Sequence, residues 1–347
     1  MLIRRDLAMY AKLGTRNSQT GYVAGQLELT GRCMQRCPMC HSWREHNNAP
    51  CPEADVNMLE TLWHELNSMP FFEHLTLTGG DPQCYPGLEV LARLPRDFRL
   101  QITTAMMKPP ERWYGNFDAI RLSLDAIDPE IYEEIRGVRR DPLEPLLWCN
   151  ALNLPFSTFT VVSNHNAQHL PNILRALAVY RPRKATFFLI IGEPHDEALI
   201  AAYQAATAYA QRYCSSLTTS FSENPIEIEA ILNQPERFEH IRSKQVPLLP
   251  ATLGAVECAA SVLGFHMKAD GTVFPCCVLG GEAVATQLDA ALGVFGSETL
   301  WQIWNKNLQR DRFYYRDRER CRTQCQYKQA QINLLSAEAE RTRISIP

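Results

Sequence analysis

The 347-residue sequence contains no uninterrupted apolar run of about 18 residues, the length a membrane-crossing helix requires. Its first segment, "MLIRRDLAMYAKLG", lacks both a long apolar core and a small-residue cleavage site, so the pattern predicts a cytoplasmic protein. Excess charge is missing as well. The formal net charge is -3, which gives no bulk attraction to nucleic acid or to an anionic membrane. The basic runs "RPRK" (181–184) and "RDRFYYRDRER" (310–320) read as solvated faces. Neither an internal repeat nor a low-complexity tract is present, which excludes solenoids and compositionally driven disorder. What the chain does not lack is cysteine, of which there are 12. In a reducing compartment these form no disulfide framework, and their clustering points to metal or redox chemistry.

A hydrophobic fraction of 46% suffices for one large α/β domain with a smaller appendage. Strand-like runs occur at 22–30, 74–79, 99–104, 119–125, 156–162 and 184–191. Between them lie segments of helical period. In "DVNMLETLWHELNSM" the residues Val56, Leu59, Leu62, Trp63 and Leu66 share one face, and further helices are expected at 86–94, 129–136, 142–152, 168–180 and 196–213. Six alternations of strand and helix imply parallel strands with crossover helices, a barrel or open barrel whose working loops follow the strands' C-terminal ends. The alternation then stops. We expect a lead-in at 1–21, the barrel at 22–215, a linker at 216–257, a small C-terminal unit at 258–330 that opens with a hairpin turning at Asp270 and Gly271, and a tail at 331–347.

Directly after the first strand, "ELTGRCMQRCPMCHSW" (28–43) places Cys33, Cys37 and Cys40 on one loop. Three thiolates there can hold three irons of a cubane and leave the fourth open, or can bind zinc with His41 or His46 as a fourth ligand. Polar groups follow the other strands. "LTGGDP" brings Gly79, Gly80 and Asp81, where the glycines let backbone approach a ligand and Asp81 offers an acceptor for an ammonium. "SLDAIDPEIYEEIRG" brings Ser123, Asp125 and Arg136, "VVSNHN" brings His165 and Asn166, and "LIIGEP" brings Ile191, Gly192 and Glu193. One rim of polar groups suits an amino acid-like ligand.

The C-x3-C-x2-C spacing after strand one, "GGDP" after strand two and "SLD…RG" after strand four resemble the radical S-adenosylmethionine enzymes, over roughly residues 20–215. The resemblance implies a partial (β/α)6 barrel and a 4Fe-4S cluster on Cys33, Cys37 and Cys40, with the open iron chelated by S-adenosylmethionine. It further implies contacts from Gly79, Gly80 and Asp81 to the cofactor's amino group, and from Ser123, Asp125 and Arg136 to its ribose or carboxylate. Asn166 is a ribose candidate, and backbone near Ile191 and Gly192 would meet the adenine. Asp81 stands where the family more often has glutamate, and Met39 where it commonly has an aromatic residue against the adenine. Cleavage of the cofactor would yield a 5′-deoxyadenosyl radical, with a flavodoxin- or ferredoxin-type donor supplying the electron.

Downstream, Cys258, Gly271 and Cys276 at spacing C-x12-G-x4-C, followed by Cys321 and Cys325, resemble the SPASM auxiliary-cluster extension, and "LWQIWN" resembles a segment of it. Four candidate ligands suit its shorter single-cluster form, twitch, with Cys277 competing with Cys276 for one position. Zinc on four cysteines or ordinary buried thiols are the structural alternatives. A thiolate-saturated auxiliary cluster implies electron transfer, hence oxidative tailoring, a dehydrogenation or cross-link, of a small metabolite or a ribosomal peptide. With about 25 residues before the barrel, we expect a small substrate or a peptide recognised by the barrel itself in preference to one bound by a winged-helix precursor-recognition domain. Thr104, His165 and Glu193 are candidates to hold a substrate hydroxyl or take its proton. A radical epimerase would instead use Cys84 as hydrogen donor, and a non-catalytic iron–sulfur or zinc redox sensor would explain the cysteines without the rim motifs. The two-cluster assignment predicts about eight irons per anaerobically reconstituted chain, about half of them lost when Cys33, Cys37 and Cys40 become alanine. Stoichiometric zinc without acid-labile sulfide would contradict it.

Overall fold

The computed structural model describes residues 24–40, 52–69, 72–190, 196–221, 264–277 and 291–309. Seven strands pair in parallel in chain order: β1 (Ala24–Glu28), β2 (His74–Thr78), β3 (Arg99–Thr104), β4 (Ala119–Ser123), β5 (Phe156–Val162), β6 (Ala185–Leu189) and β7 (Thr219–Phe221). Helices cross between them: α1 (Val56–Ser68), α2 (Leu88–Arg93), α3 (Pro129–Arg136), α4 (Glu144–Ala151), α5 (Leu170–Tyr180) and α6 (Glu197–Tyr213). β3 and β4 are joined instead by a short 3-10 turn, Arg112–Asn116. The sheet does not close.

Local chemistry explains where the helices begin. Asp55 accepts from the Met58 N–H ahead of α1, Asp196 from the Leu199 N–H ahead of α6, and Asp128 from the Glu130 and Ile131 N–H groups ahead of α3, which has Pro129 in its first turn. α1 buries Leu59, Leu62, Trp63 and Leu66, as its periodicity predicts, but Val56 is 48% exposed. It is the first residue of the helix, beyond the edge of the face that packs on the sheet.

The expected strands are all present, and the sheet extends past them at both edges. β7 falls inside the stretch expected to be linker and pairs with β6. On the other edge, β8 (Gly264–Met267) and β9 (Thr272–Phe274) form the predicted hairpin, and β10 (Gly293–Val294) pairs with β9. The hairpin is not a separate sheet. β8 pairs in parallel with β1, so the order runs β10-β9-β8-β1-β2-β3-β4-β5-β6-β7. α7 (Leu300–Gln309) closes over this edge, with the Leu300 N–H donating to Glu65 of α1 at 2.7 Å and Leu300, Ile303 and Trp304 buried.

The sheet's two faces differ in chemistry, as strand alternation requires. One face carries Leu27, Leu75, Leu77, Leu100, Ile102, Ile120, Leu122 and Phe187 into the core shared with the helices. The other, the concave inner face, carries Gln26, Thr76, Gln101, Thr103, Arg121, Ser123, Ser157 and Phe159. Replacing fully buried Leu77 by alanine is expected to cost about 2–5 kcal/mol in chemical denaturation. Val56→Ala should stay within about 0.5 kcal/mol. Equal effects at the two positions would contradict this division of faces.

Candidate functional site

The cysteine loop leaves β1 at the sheet's C-terminal end and is gripped from two sides. From β2, the Gly80 N–H donates to the Thr30 carbonyl at 2.6 Å and the Asp81 N–H to the Arg32 carbonyl at 2.8 Å. A Cβ at Gly80 would stand 2.3 Å from the Arg32 oxygen, and one at Gly79, whose φ is +128°, 2.5 Å from the Thr30 oxygen. From α3, the Arg136 carbonyl accepts from the Arg36 N–H at 3.0 Å, and Gly137 (φ +66°) has room for no Cβ against Arg36. Both motifs read as cofactor-facing therefore have a prior duty: their glycines let backbone meet the cysteine loop itself.

Side chains complete the grip. Gln35, 2% exposed, donates to the Tyr132 hydroxyl at 2.6 Å and accepts from Arg136 Nη1 at 3.5 Å. Arg136 Nη2 lies 2.5 Å from Asp125 Oδ2, and its Nη1 lies 3.9 Å from the Cys37 sulfur. Burial is the largest influence and opposes the guanidinium's charge, but the facing Asp125 carboxylate together with Cys37 and Tyr132 outweighs it and pushes the Arg136 pKa up. Asp125 also accepts from the Val161 N–H at 2.8 Å. This buried ion pair stands directly behind Cys37.

Burial pushes the Cys33 thiol up to about 12 and raises Cys37 as well, with Cys40 adding to both by repulsion. The three sulfurs thus share one region, and their thiolates need a cation to coexist. Among the described residues no three His, Cys, Asp or Glu side chains converge on a single ion. A cubane asks for something else, since each thiolate binds a different iron and the sulfurs stand apart. Cys33, Met39 and Cys40 keep partial exposure, so the loop has an open side. The donor set fits a cluster.

Several expected roles change. Asp81 is 2% exposed, and its carboxylate accepts from Thr104 Oγ1 (2.7 Å), the Gln83 N–H (3.0 Å) and the Ala105 N–H (3.0 Å), so it ties β2 to β3 before any ammonium can claim it. Thr104 gives its hydroxyl proton to Asp81 and accepts from the Met106 N–H, and is not open to a substrate. Asn166 is fully buried. It donates to the Asp125 and Val161 carbonyls and accepts from the Ser163 N–H, bracing the loop after β5. His165 is exposed, 3.7 Å from the exposed Glu134 of α3. Cys84 is partly buried beside the backbone of Met34, and burial raises its thiol. Ser123 ends β4 on the inner face. Ile191, Gly192, Glu193, Cys258, Cys321 and Cys325 lie outside the described residues.

Cys276 and Cys277 follow β9, which runs antiparallel to β8. Phe274 is level with His266, and His266 with Gln26, so these cysteines stand toward the N-terminal end of β1, roughly 20 Å of strand rise from the first set. The inner face spans the interval. It carries two features missed in the sequence: a buried pair, His266 Nε2 to Glu28 Oε1 at 2.9 Å, and the part-buried Arg121. Alternation in "GQLELT" and "AIRLSLD" marked Glu28 and Arg121 as off the apolar face, but not which strands would stand beside them.

An open parallel barrel with a clamped three-cysteine loop at its C-terminal end and more cysteines at the far end defines the class as iron–sulfur barrel proteins. The Radical SAM superfamily model matches residues 27–177, and an iron-sulfur cluster-binding domain, SPASM, matches 258–326. The chain belongs to the radical SAM superfamily and carries its SPASM extension; its cofactors are S-adenosylmethionine and 4Fe-4S clusters. A search of curated sequences found no match. Among solved structures, Streptococcus suis SuiB bound to S-adenosylmethionine aligns with a TM-score of 0.62 at 14% identity, over 85% of this chain and 68% of that one. SuiB bound to precursor peptide SuiA gives 0.63 at 14%, over 87% and 68%, and anSMEcpe with bound AdoMet gives 0.59 at 15%, over 82% and 78%. These likenesses concern the fold.

If the glycines serve the grip, Gly80→Ala and Gly137→Ala should each lose most of the N-terminal cluster's iron and sulfide on reconstitution while keeping the C-terminal share. Full iron content in both variants would show that the loop is not held by these contacts.

Proposed function

We propose that the protein is a radical SAM oxidoreductase that tailors a peptide by a net two-electron oxidation. The observation that carries this reading is that Cys33, Cys37 and Cys40 stand at one end of a polar inner face and Cys276 and Cys277 toward the other. When bound, the cluster and S-adenosylmethionine supply a 5′-deoxyadenosyl radical that can take a hydrogen atom from a substrate. The chain's own residues hold the cysteine loop rigid through Gln35, Asp125, Arg136 and the glycine contacts, so that chemistry starts from a fixed point on the rim. A substrate lying along the inner face would give one hydrogen atom at the rim, one electron toward the auxiliary site near Cys276, and one proton to a base.

Glu28 and His266 supply a base where Thr104 and His165 do not. Their pair sits on the inner face between the two cysteine sets. A buried carboxylate–imidazole pair can take a proton and share it. The family neighbours SuiB and anSMEcpe have been solved with peptides, which favours a peptide over a small metabolite here. The single-cluster twitch form and a flavodoxin- or ferredoxin-type donor complete the proposal. Epimerisation through Cys84 is the weaker reading, because that thiol packs beside Met34 of the cysteine loop.

With dithionite as reductant, the reconstituted protein is expected to form 5′-deoxyadenosine without added substrate, and Cys40→Ala should abolish this. Folded Cys276→Ala should retain it. Undiminished cleavage by Cys40→Ala would falsify the cluster assignment.

A further inference from the structure

Arg121 sits at the middle of β4 on the inner face, in register with Thr103 of β3 and Ser157 of β5. Its guanidinium carbon lies 5.4 Å from the centre of the Phe159 ring, and Phe159 meets Phe188 edge-on at 6.3 Å. Among the described residues no carboxylate pairs with it, and no hydrogen bond holds it. The buried Arg136, by contrast, faces Asp125. Burial alone lowers the Arg121 pKa, with no acid nearby to raise it. A cation removed from water is costly unless an anion joins it, and one aromatic face replaces only part of what water gave.

A second group on the same face lacks a partner. Gln101, opposite Ala119 and hence two positions from Arg121 in the register, has a buried side-chain oxygen with nothing donating to it. Buried acceptors are ordinarily satisfied, and an unsatisfied one beside an unpaired cation marks where a ligand N–H can arrive. The neighbours of Arg121 in its own row, Thr103 and Ser157, are neutral hydroxyl residues. One planar guanidinium flanked by hydroxyls matches the two oxygens of a carboxylate, whereas a phosphate dianion would call for further cationic donors.

We propose that Arg121 is the specificity-determining cation of the barrel and binds a carboxylate of the substrate, an acidic side chain or chain end, with an amide N–H of the same molecule meeting Gln101. This rests on the reading of the inner face as the substrate cavity. The S-adenosylmethionine carboxylate is the competing source of the same chemistry, but Arg121 stands two residues below Ser123 at the rim and deeper in the barrel.

The test is arginine-directed labelling of the full reconstituted chain with phenylglyoxal, read at Arg121 by peptide mass spectrometry at matched ionic strength. The probes are S-adenosylmethionine, inorganic phosphate, and N-acetylated, C-amidated tripeptides with central Glu or Gln. We expect Arg121 to label without ligand and to stay reactive with S-adenosylmethionine and with phosphate. The Glu peptide, added on top of the cofactor, should slow labelling, with an apparent affinity roughly ten- to a hundredfold above that of the Gln peptide. Protection by S-adenosylmethionine alone would assign Arg121 to the cofactor, and protection by phosphate but not by the Glu peptide would assign another anion. Equal behaviour of the two peptides, or no labelling in the folded chain, would remove the site altogether. Arg121→Lys should keep part of the Glu-over-Gln preference and Arg121→Gln none, measured by the peptides' effect on melting temperature. Because labelling needs no turnover, a failure of 5′-deoxyadenosine formation would overturn the proposed reaction without touching this result.

Discussion

Everything at the site depends on a backbone-to-backbone contact that only glycine permits. The cysteine loop lies between the Gly79–Gly80 turn and the Arg136–Gly137 helix end, and on both sides the approach is too close for a side chain. Hydrogen bonds from Gly80 and Asp81 and to the Arg136 carbonyl fix the loop's path at Thr30, Arg32 and Arg36, on both sides of Cys33. Asp81, Thr104, Asn166 and Asp125 then form an outer layer, each buried and each joining one strand's end to the next.

That outer layer is where the sequence misleads. "GGDP", "SLD…RG" and "VVSNHN" were legible as one rim, because strand alternation and position at strand ends are local signals. Which atoms of those residues face inward is a tertiary fact. Asp81 and Asn166 have enough donors and acceptors for a ligand, yet neighbouring strand ends use them first. Ordinary hydrogen-bond satisfaction thus competes with function for the same polar residue types.

The fold itself was more legible than the site. Strand and helix positions followed from periodicity, and the hairpin from Asp270 and Gly271. That β8 would dock on β1 was not readable, since nothing in "GFHM" names a partner strand; His266 against Glu28 is a match visible only in space. The inner face was missed for a related reason. Its residues are polar but dispersed over many strands, so no short stretch declares them.

The docking of β8 beside β1 also bears on how the protein is made. Glu28 and His266 are separated by 238 positions, and at about 5–20 residues per second the ribosome needs on the order of ten to fifty seconds to go from one to the other. Throughout that interval the strand that leads into the cysteine loop has a bare edge, the kind of surface that templates wrong pairings. A strand made late is thus the one that seals the first, and a cell that loads iron onto this loop early would be loading it onto an unfinished sheet.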